Sequence, residues 1–271
     1  AISGQYTNDN NKGLGFRRGL SFVQLMVMQV FIIAAIIISL QLRFFQEKDL
    51  GFSDDAVAVV PIPTLDKKEH LFERMKTTPG VLGIAAGSGP PMGINGFSLG
   101  TTYRLPHLAE TEGSEAEMKI ADADYFTIYD LKLLAGRVFE NTKPQFDEFI
   151  INQKLASSLG WTPQSAIGKE LQINEGKAVV VGVVADFNNH SLQHASTPVV
   201  FMNWEAFQWQ AFIKVTGPET ISRIESIWRS AYPENIFHME FIDAAIAREY
   251  AVEQLIFTGF KALSAIVIMI G

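Results

Sequence analysis

The chain has 271 residues, is 48% hydrophobic and carries a formal net charge of -7, with a positive mean hydropathy of +0.14. That length suffices for one large or two modest folded units, and the acidic balance argues against a nucleic-acid partner, because neutralising phosphates needs a basic face. No cysteine is present, so disulfides and thiolate metal sites are excluded and the redox compartment is left open. The lack of an initiator Met and the stop at Gly271 inside an apolar run are what a fragment of a longer polypeptide would show.

Residues 20–42 form an uncharged run of about 23 residues, which as a helix spans roughly 34 Å, enough for a bilayer core. No small-residue cleavage site follows at Gln41, Leu42 and Arg43, so a transmembrane helix is expected rather than a signal peptide. Its polar exceptions, Gln24 and Gln29, are costly in lipid and are predicted to face other helices of a bundle. Lys12, Arg17 and Arg18 precede the run, whereas the charges of Arg43, Glu47, Lys48 and Asp49 nearly cancel after it; the positive-inside rule then makes 1–18 cytoplasmic and 19–48 a membrane helix with an outer stalk. A second apolar segment at 255–270 would return to the membrane, with Lys261 snorkelling to the headgroups. Residues 49–242 would form the outer domain and 243–271 a second stalk and the start of a second membrane helix.

Within the outer domain, 56–62 reads as a strand, 66–77 as a helix with Leu71, Phe72 and Met75 on one side, and 81–86 as a strand, together a β-α-β unit. The glycine- and proline-rich stretch 87–100 reads as a long loop, whose apolar Met92, Ile94 and Phe97 are candidate contacts for a partner or substrate, or else tuck onto their own domain. Glu110, Glu112, Glu115 and Glu117 read as solvated charge leading into a strand at 118–121. Asn152 should cap a short helix ended by Gly160, and the valines of 177–186 signal a buried strand. A strand at 211–215, a helix opened by Gly217 and Pro218 with Ile221, Ile224, Ile227 and Trp228 as its apolar stripe, and a strand at 237–242 make a second β-α-β unit. Asp243 is expected to cap the second stalk. The fold class is therefore α+β: mixed β-sheets with β-α-β units in one extracytoplasmic domain, which the two units could divide into subdomains, flanked by two transmembrane α-helices.

Catalytic and cofactor signals are weak. Asp186, His190 and His194 recur every four residues, which on a helix would align three zinc ligands, yet Asn188, Asn189 and Pro198 read as loop and no His-Glu-x-x-His pattern exists. Ser88 lies outside a Gly-x-Ser-x-Gly elbow, and no Gly-Lys-Ser/Thr comes after the glycines to hold phosphates. No cofactor is expected.

Several stretches resemble the MacB-like and FtsX-like ABC transporter permeases. They are Arg17-Arg18-Gly19-Leu20 with Phe22 and Gln24, then Lys48-Asp49-Leu50-Gly51-Phe52, then Val180-Val181-Gly182-Val183-Val184 with Asp186-Phe187 and Ser191-Leu192, and the strand 237–243. The resemblance spans nearly the whole chain and rests on order and spacing. It implies a non-catalytic permease of the bacterial inner membrane with its large domain in the periplasm or outside. Its partners would be the lipid bilayer, a cytoplasmic ATP-binding subunit, a second permease unit in a dimer or pseudo-dimer, and an extracytoplasmic protein. The stretch before Arg17 resembles the connector of two-unit versions. A two-helix receptor with an extracytoplasmic sensor domain competes: a transporter should continue past the second membrane segment into about two further membrane helices, a receptor into a cytoplasmic signalling helix. A membrane-tethered hydrolase ranks third.

Overall fold

The computed structural model describes residues 10–93, 98–140, 147–190 and 195–249, and beyond them positions 251, 255, 256, 258, 259 and 262. They form two compact units, Ala1–Lys48 with Tyr250–Gly271, and Asp49–Glu249.

In the first unit α1 spans Asn10–Glu47, starting well before position 19 and taking up the second half of the stretch 1–18 expected to be a cytoplasmic segment. No proline interrupts 10–18, and once nucleated a helix adds a hydrogen bond for each residue fixed. The window Arg17–Leu40 has a mean hydropathy of 2.5, and this helix is long and apolar enough to cross a membrane. Half-covered positions include Gln24, Met28, Phe31, Ala35 and Ile38, the alternating spacing of four and three typical of a helix–helix stripe. Gln24 falls on that stripe; Gln29 is exposed. Most of the second apolar segment, including Lys261, lies outside the described residues, and its described positions 255, 256, 258, 259 and 262 are helical.

The second unit contains both predicted β-α-β units, interleaved. The first consists of β1 (Val57–Pro61), α2 (Lys68–Lys76) and β2 (Val81–Gly87), and the second of β10 (Gln210–Val215), α6 (Pro218–Ala231) and β11 (Glu240–Phe241). They share one four-stranded sheet in the order β11-β1-β10-β2, in which β10 runs antiparallel to both β1 and β2. Each unit thus receives a strand of the other between its own two, the split β-α-β arrangement. Period-2 alternation explains the faces. Val60, Ile84 and Ile213 meet Leu71 and Met75 of α2 and Ile224 and Trp228 of α6 in one core, and the indole of Trp228 donates to the carbonyl of Pro61 at 2.8 Å.

The chain between β2 and β10 folds as a second body. It comprises β3 (Leu99–Arg104), β4 (Ser114–Ile120), α3 (Ala123–Ile128), β5 (Leu133–Gly136), β6 (Glu148–Asn152), α4 (Gln153–Ser158), α5 (Pro163–Ala166), β7 (Glu170–Ile173), β8 (Gly176–Val184) and β9 (Val199–Met202). Pairings run from β8 through β6, β9, β4, β3 and β7 back to β8, so these strands close into a ring without free edges, with β5 added on β8. The ring interior is filled by Tyr103, Phe149, Ile151, Leu171, Val180 and Val200, and is plugged by Leu155 and Ala156 of α4 and Ala166 of α5. Asn152 caps α4 as its sequence indicates, its side-chain oxygen accepting from the Leu155 N–H at 3.0 Å. After β10 comes α6, opened by Gly217 and Pro218. The last helix, α7 (Ile242–Glu249), begins one residue before Asp243, which sits in its first turn rather than capping it. Its carboxylate accepts from the adjacent Ala244 N–H at 2.7 Å.

The two bodies are stitched where β2 and β4 end. Ser88 N–H donates to Ile120 O at 3.0 Å and Asp122 N–H to Ala86 O at 3.0 Å; the Asp122 carboxylate accepts from the N–H groups of Ala86 at 2.7 Å and Tyr125 at 3.0 Å. Rings fill one side of this seam. Tyr125 touches Tyr129, Phe201 and Phe212 with centroids 4.7, 6.2 and 5.4 Å away, and offset or edge-on ring pairs of this kind add roughly 0.5–1.5 kcal/mol each beyond the area they bury.

Burial pushes the Asp122 carboxyl up to about 7, against the two backbone N–H bonds that favour its charge. Unfolded, it ionises near pH 4 (~3.9). Between there and about 7 the folded chain holds a proton that the unfolded chain lacks, so stability should fall as pH rises through that window and level off above it. Asp122→Asn keeps a capping oxygen and should flatten this decline in denaturant titrations of the full chain at stepped pH; an unaltered slope would assign it to another group.

Candidate functional site

The first residues of the second unit are clamped to the loop after β8. Asn188 donates its backbone N–H to Leu50 O at 2.8 Å and its side-chain amide to Leu50 O at 3.1 Å and Asp49 O at 3.3 Å. Gly51 has φ +78°, and a Cβ there would lie 2.9 Å from Asp186 O and from Phe187 Cα. Ser53 N–H bonds Tyr129 O at 2.7 Å, and Phe52 meets the Tyr129 ring edge-on. Two of the stretches that carried the family resemblance, 48–52 and 186–187, are thus in contact. At the other end Ile242, Ala245 and Ile246 of α7 are buried, and Arg248 of α7 pairs with Glu240 of β11.

Beside the seam lies a buried polar network that sequence reasoning missed. Glu117 and Lys119, two apart on β4, point to the same face, outside the ring, and both are buried, at 4% and 5% exposure. Glu117 is therefore not solvated charge. Although Glu115 beside it is exposed, Glu117 is covered by the residues that bind it. Its Oε1 accepts from Lys119 Nζ at 2.7 Å and its Oε2 from Asn189 Nδ2 at 2.6 Å. Lys119 Nζ also donates to Pro90 O at 3.2 Å, and Asn189 exchanges bonds with Thr197 through its Nδ2 and Oδ1. Burial lowers the Lys119 pKa, and Glu117 opposes that shift. A hint was available: two charged residues two apart in a strand between apolar neighbours share one face, and β4 is an inner strand.

These side chains line a cleft of about 350 Å³ between β4 and the face of β1 opposite its helices. Val59, Pro61 and Gln210 form one wall, Pro90, Leu99 and Met118 another, and Ile242 and Ala245 of α7 close it.

The other residues singled out from sequence fall elsewhere. Met92 is fully buried, so its side chain is core and offers no contact surface; Ile94 and Phe97 lie outside the described residues, as does His194. Asp186 and His190 sit in irregular chain, not on a helix, so their spacing of four aligns nothing. Asp186 Oδ1 accepts from Lys154 N–H at 2.7 Å, while His190 Nε2 lies 3.2 Å from the Thr197 hydroxyl and 3.9 Å from Glu117 Oε2. Among the described residues no cluster of three or more His, Asp or Glu could hold a metal. Ser88 is buried and its Oγ accepts from Ile120 N–H, an engagement with the seam rather than with a base.

Three variants probe the network and the clamp. Glu117→Gln leaves Lys119 buried without a countercharge and should destabilise the chain by about 3 kcal/mol or more, whereas the double change E117L/K119M should recover most of that loss; urea denaturation of both variants decides. Gly51→Ala should cost roughly 1–3 kcal/mol from the left-handed φ and the close approach to the Asp186 backbone, and a neutral result would mean that the clamp gives way freely.

Known proteins share this architecture. The family model of the MacB-like periplasmic core domain matches residues 27–231. Among solved structures, the periplasmic region of MacB from Actinobacillus actinomycetemcomitans aligns with a TM-score of 0.50 at 11% identity, covering 74% of this chain and 94% of that one. The extracellular domain of the noncanonic ABC-type transporter YknZ from Gram-positive bacteria aligns at 0.47 and 13% identity, covering 68% and 98%. No curated protein sequence matches. The match of the family model over most of the chain identifies it as a member of the MacB-like periplasmic core domain family, here joined to a helix long and apolar enough to cross a membrane.

Proposed function

We propose that the chain is a permease subunit of an ABC transporter of the bacterial inner membrane, with its large domain in the periplasm. In this reading it performs no chemistry itself. A partner ATP-binding subunit hydrolyses ATP in the cytoplasm, and α1 and α7 transmit the resulting movement to the outer domain, which works in a dimer or pseudo-dimer to export or extract a substrate or to signal to an outside protein.

One observation carries the mechanical part. The chain comes into the outer domain clamped to the loop after β8, on the closed ring, and leaves it through α7, packed on β1 and β11 of the other sheet. Displacing the two connections relative to each other therefore strains the seam between the bodies instead of moving the domain as a single block. A chain whose two membrane connections both rose from one sheet would lack that lever.

The absence of cysteine makes spin labelling direct. Labels at exposed His107 on the ring side and exposed Ser222 on α6 should change their separation when ATP is added to the complex assembled with its ATP-binding subunit. Inserting two glycines after Glu249 should abolish that change and leave ATP hydrolysis intact. An unchanged separation in the unmodified complex would refute mechanical coupling.

A further inference from the structure

The buried network on β4 holds together the parts of an amide-forming reaction. The nucleophile is Lys119, whose Nζ donates to Glu117 Oε1 at 2.7 Å. The electrophile is the side-chain amide of Asn189, fully buried, whose Nδ2 donates to Glu117 Oε2 at 2.6 Å. Amine and amide nitrogens are thus bonded to the two oxygens of a single carboxylate, a group able to take a proton from one and return it to the other. Asn189 Oδ1 accepts from the Thr197 N–H at 3.0 Å. That backbone donor is fixed where negative charge would develop if Cγ of the amide were attacked. Burial also favours the neutral, nucleophilic form of the Lys119 amine, with Glu117 opposing.

We infer that Lys119 and Asn189 join through an amide bond between Nζ and Cγ, formed by the chain itself with Glu117 carrying the proton. The step balances without a further reactant. Lys119 gives an ammonium proton to Glu117, Nζ adds to Cγ, the Glu117 carboxyl passes the proton to Nδ2, and the Cγ–Nδ2 bond breaks to release ammonia. Of the three protons on Nζ, one stays in the new amide, one leaves on ammonia and one is left on Glu117. Lys119 has a flexible four-carbon stem and Asn189 lies in irregular chain after β8, so the final approach of Nζ to Cγ displaces side chains and a loop, not a strand. A buried ion pair by itself contributes little net stability; as the reactant state of a cross-link its position has a purpose. The bond would fasten β4, an inner strand of the ring, to the loop that holds Leu50 through Asn188, and so tie the entry clamp covalently to the ring.

The cross-link is independent of the permease reading, and its test needs no ATP-binding subunit. Denaturation separates an ion pair and leaves an amide intact, so mass spectrometry of the full chain, purified in detergent and then denatured, distinguishes them. The expected mass falls short of the sequence mass by one ammonia, and proteolysis yields a branched peptide carrying both Lys119 and Asn189. Glu117→Gln, which cannot relay the proton, should show the full mass. Full mass in the wild-type chain, an ammonia loss confined to the peptide of Asn189, as ring closure onto its own backbone would give, or equal loss in Glu117→Gln would each overturn the proposal. Should Glu117→Gln fail to fold, the branched peptide of the wild-type chain decides alone.

Discussion

The architecture depends on a close approach of two strand ends. Gly87 closes β2 opposite Gln210 and forms an isolated bridge with Ala121, just past β4; a Cβ on Gly87 would lie 2.5 Å from Ile120 O. Only a residue without a side chain lets the four-stranded sheet and the closed ring come this near. The insertion that forms the ring is accommodated for the same reason: it leaves from β2 and returns on β10, neighbours in the sheet, so its ends are already together and no long linker is needed. On one side of this point Tyr125, Tyr129 and Phe212 pack as rings. On the other side the bodies part, and the cleft opens.

That asymmetry gives the buried ion pair its meaning. Rings alone could have sealed the whole seam, since burying aromatic surface is favourable and needs no compensating partner. Instead β4 carries Glu117 and Lys119 into the interior, where desolvation opposes charge and every lone pair and N–H must be matched. The matching is nearly complete: Asn189 serves Glu117 and Thr197 together, and the Pro90 carbonyl serves Lys119. A network so well satisfied, beside an acceptor on Gln210 with no partner among the described residues, is an arrangement that specifies geometry at a cost in stability.

Much of this was legible locally. The 3.6-residue stripe of Ile224 and Trp228, the Asn152 cap and the opening of α6 at Pro218 depend on residues a few positions apart, where spacing and propensity speak directly. Both β-α-β units were legible for the same reason. Local pattern could not supply their interleaving, because the pairing of β1 with β10 joins residues far apart in the chain, Val57 with Lys214 among them, and alternation fixes a strand's faces but not its neighbours. The closed ring was hidden likewise: β7 and β8 look like a simple hairpin until β6 pairs with the far half of β8. Glu117 was misjudged because an alternating acidic run reads as solvent-facing, and only the residues that cover it, Pro90 and Asn189, reverse that reading. The early start of α1 escaped because polarity at 10–18 suggested where the membrane ends, a different question from where the helix ends.

The two connections to the apolar helices meet the two bodies at points of different character. The clamp at Asp49–Gly51 is backbone against backbone, with φ +78° at Gly51 and the Asn188 amide bridging two carbonyls; such contacts tolerate little adjustment. The seat of α7 is made of small and aliphatic side chains, Ile242, Ala245 and Ile246, with one ion pair between half-exposed partners, and apolar packing of this kind slides at lower cost than a hydrogen-bonded turn rearranges. A force applied at both ends would therefore be resisted at the ring and yield first along α7. Because Ile242 and Ala245 of α7 line the cleft, the place that yields is also one of its walls. If the chain does transmit movement, its response should then be set by how firmly α7 is held against β1 and β4, and not by the strength of either core.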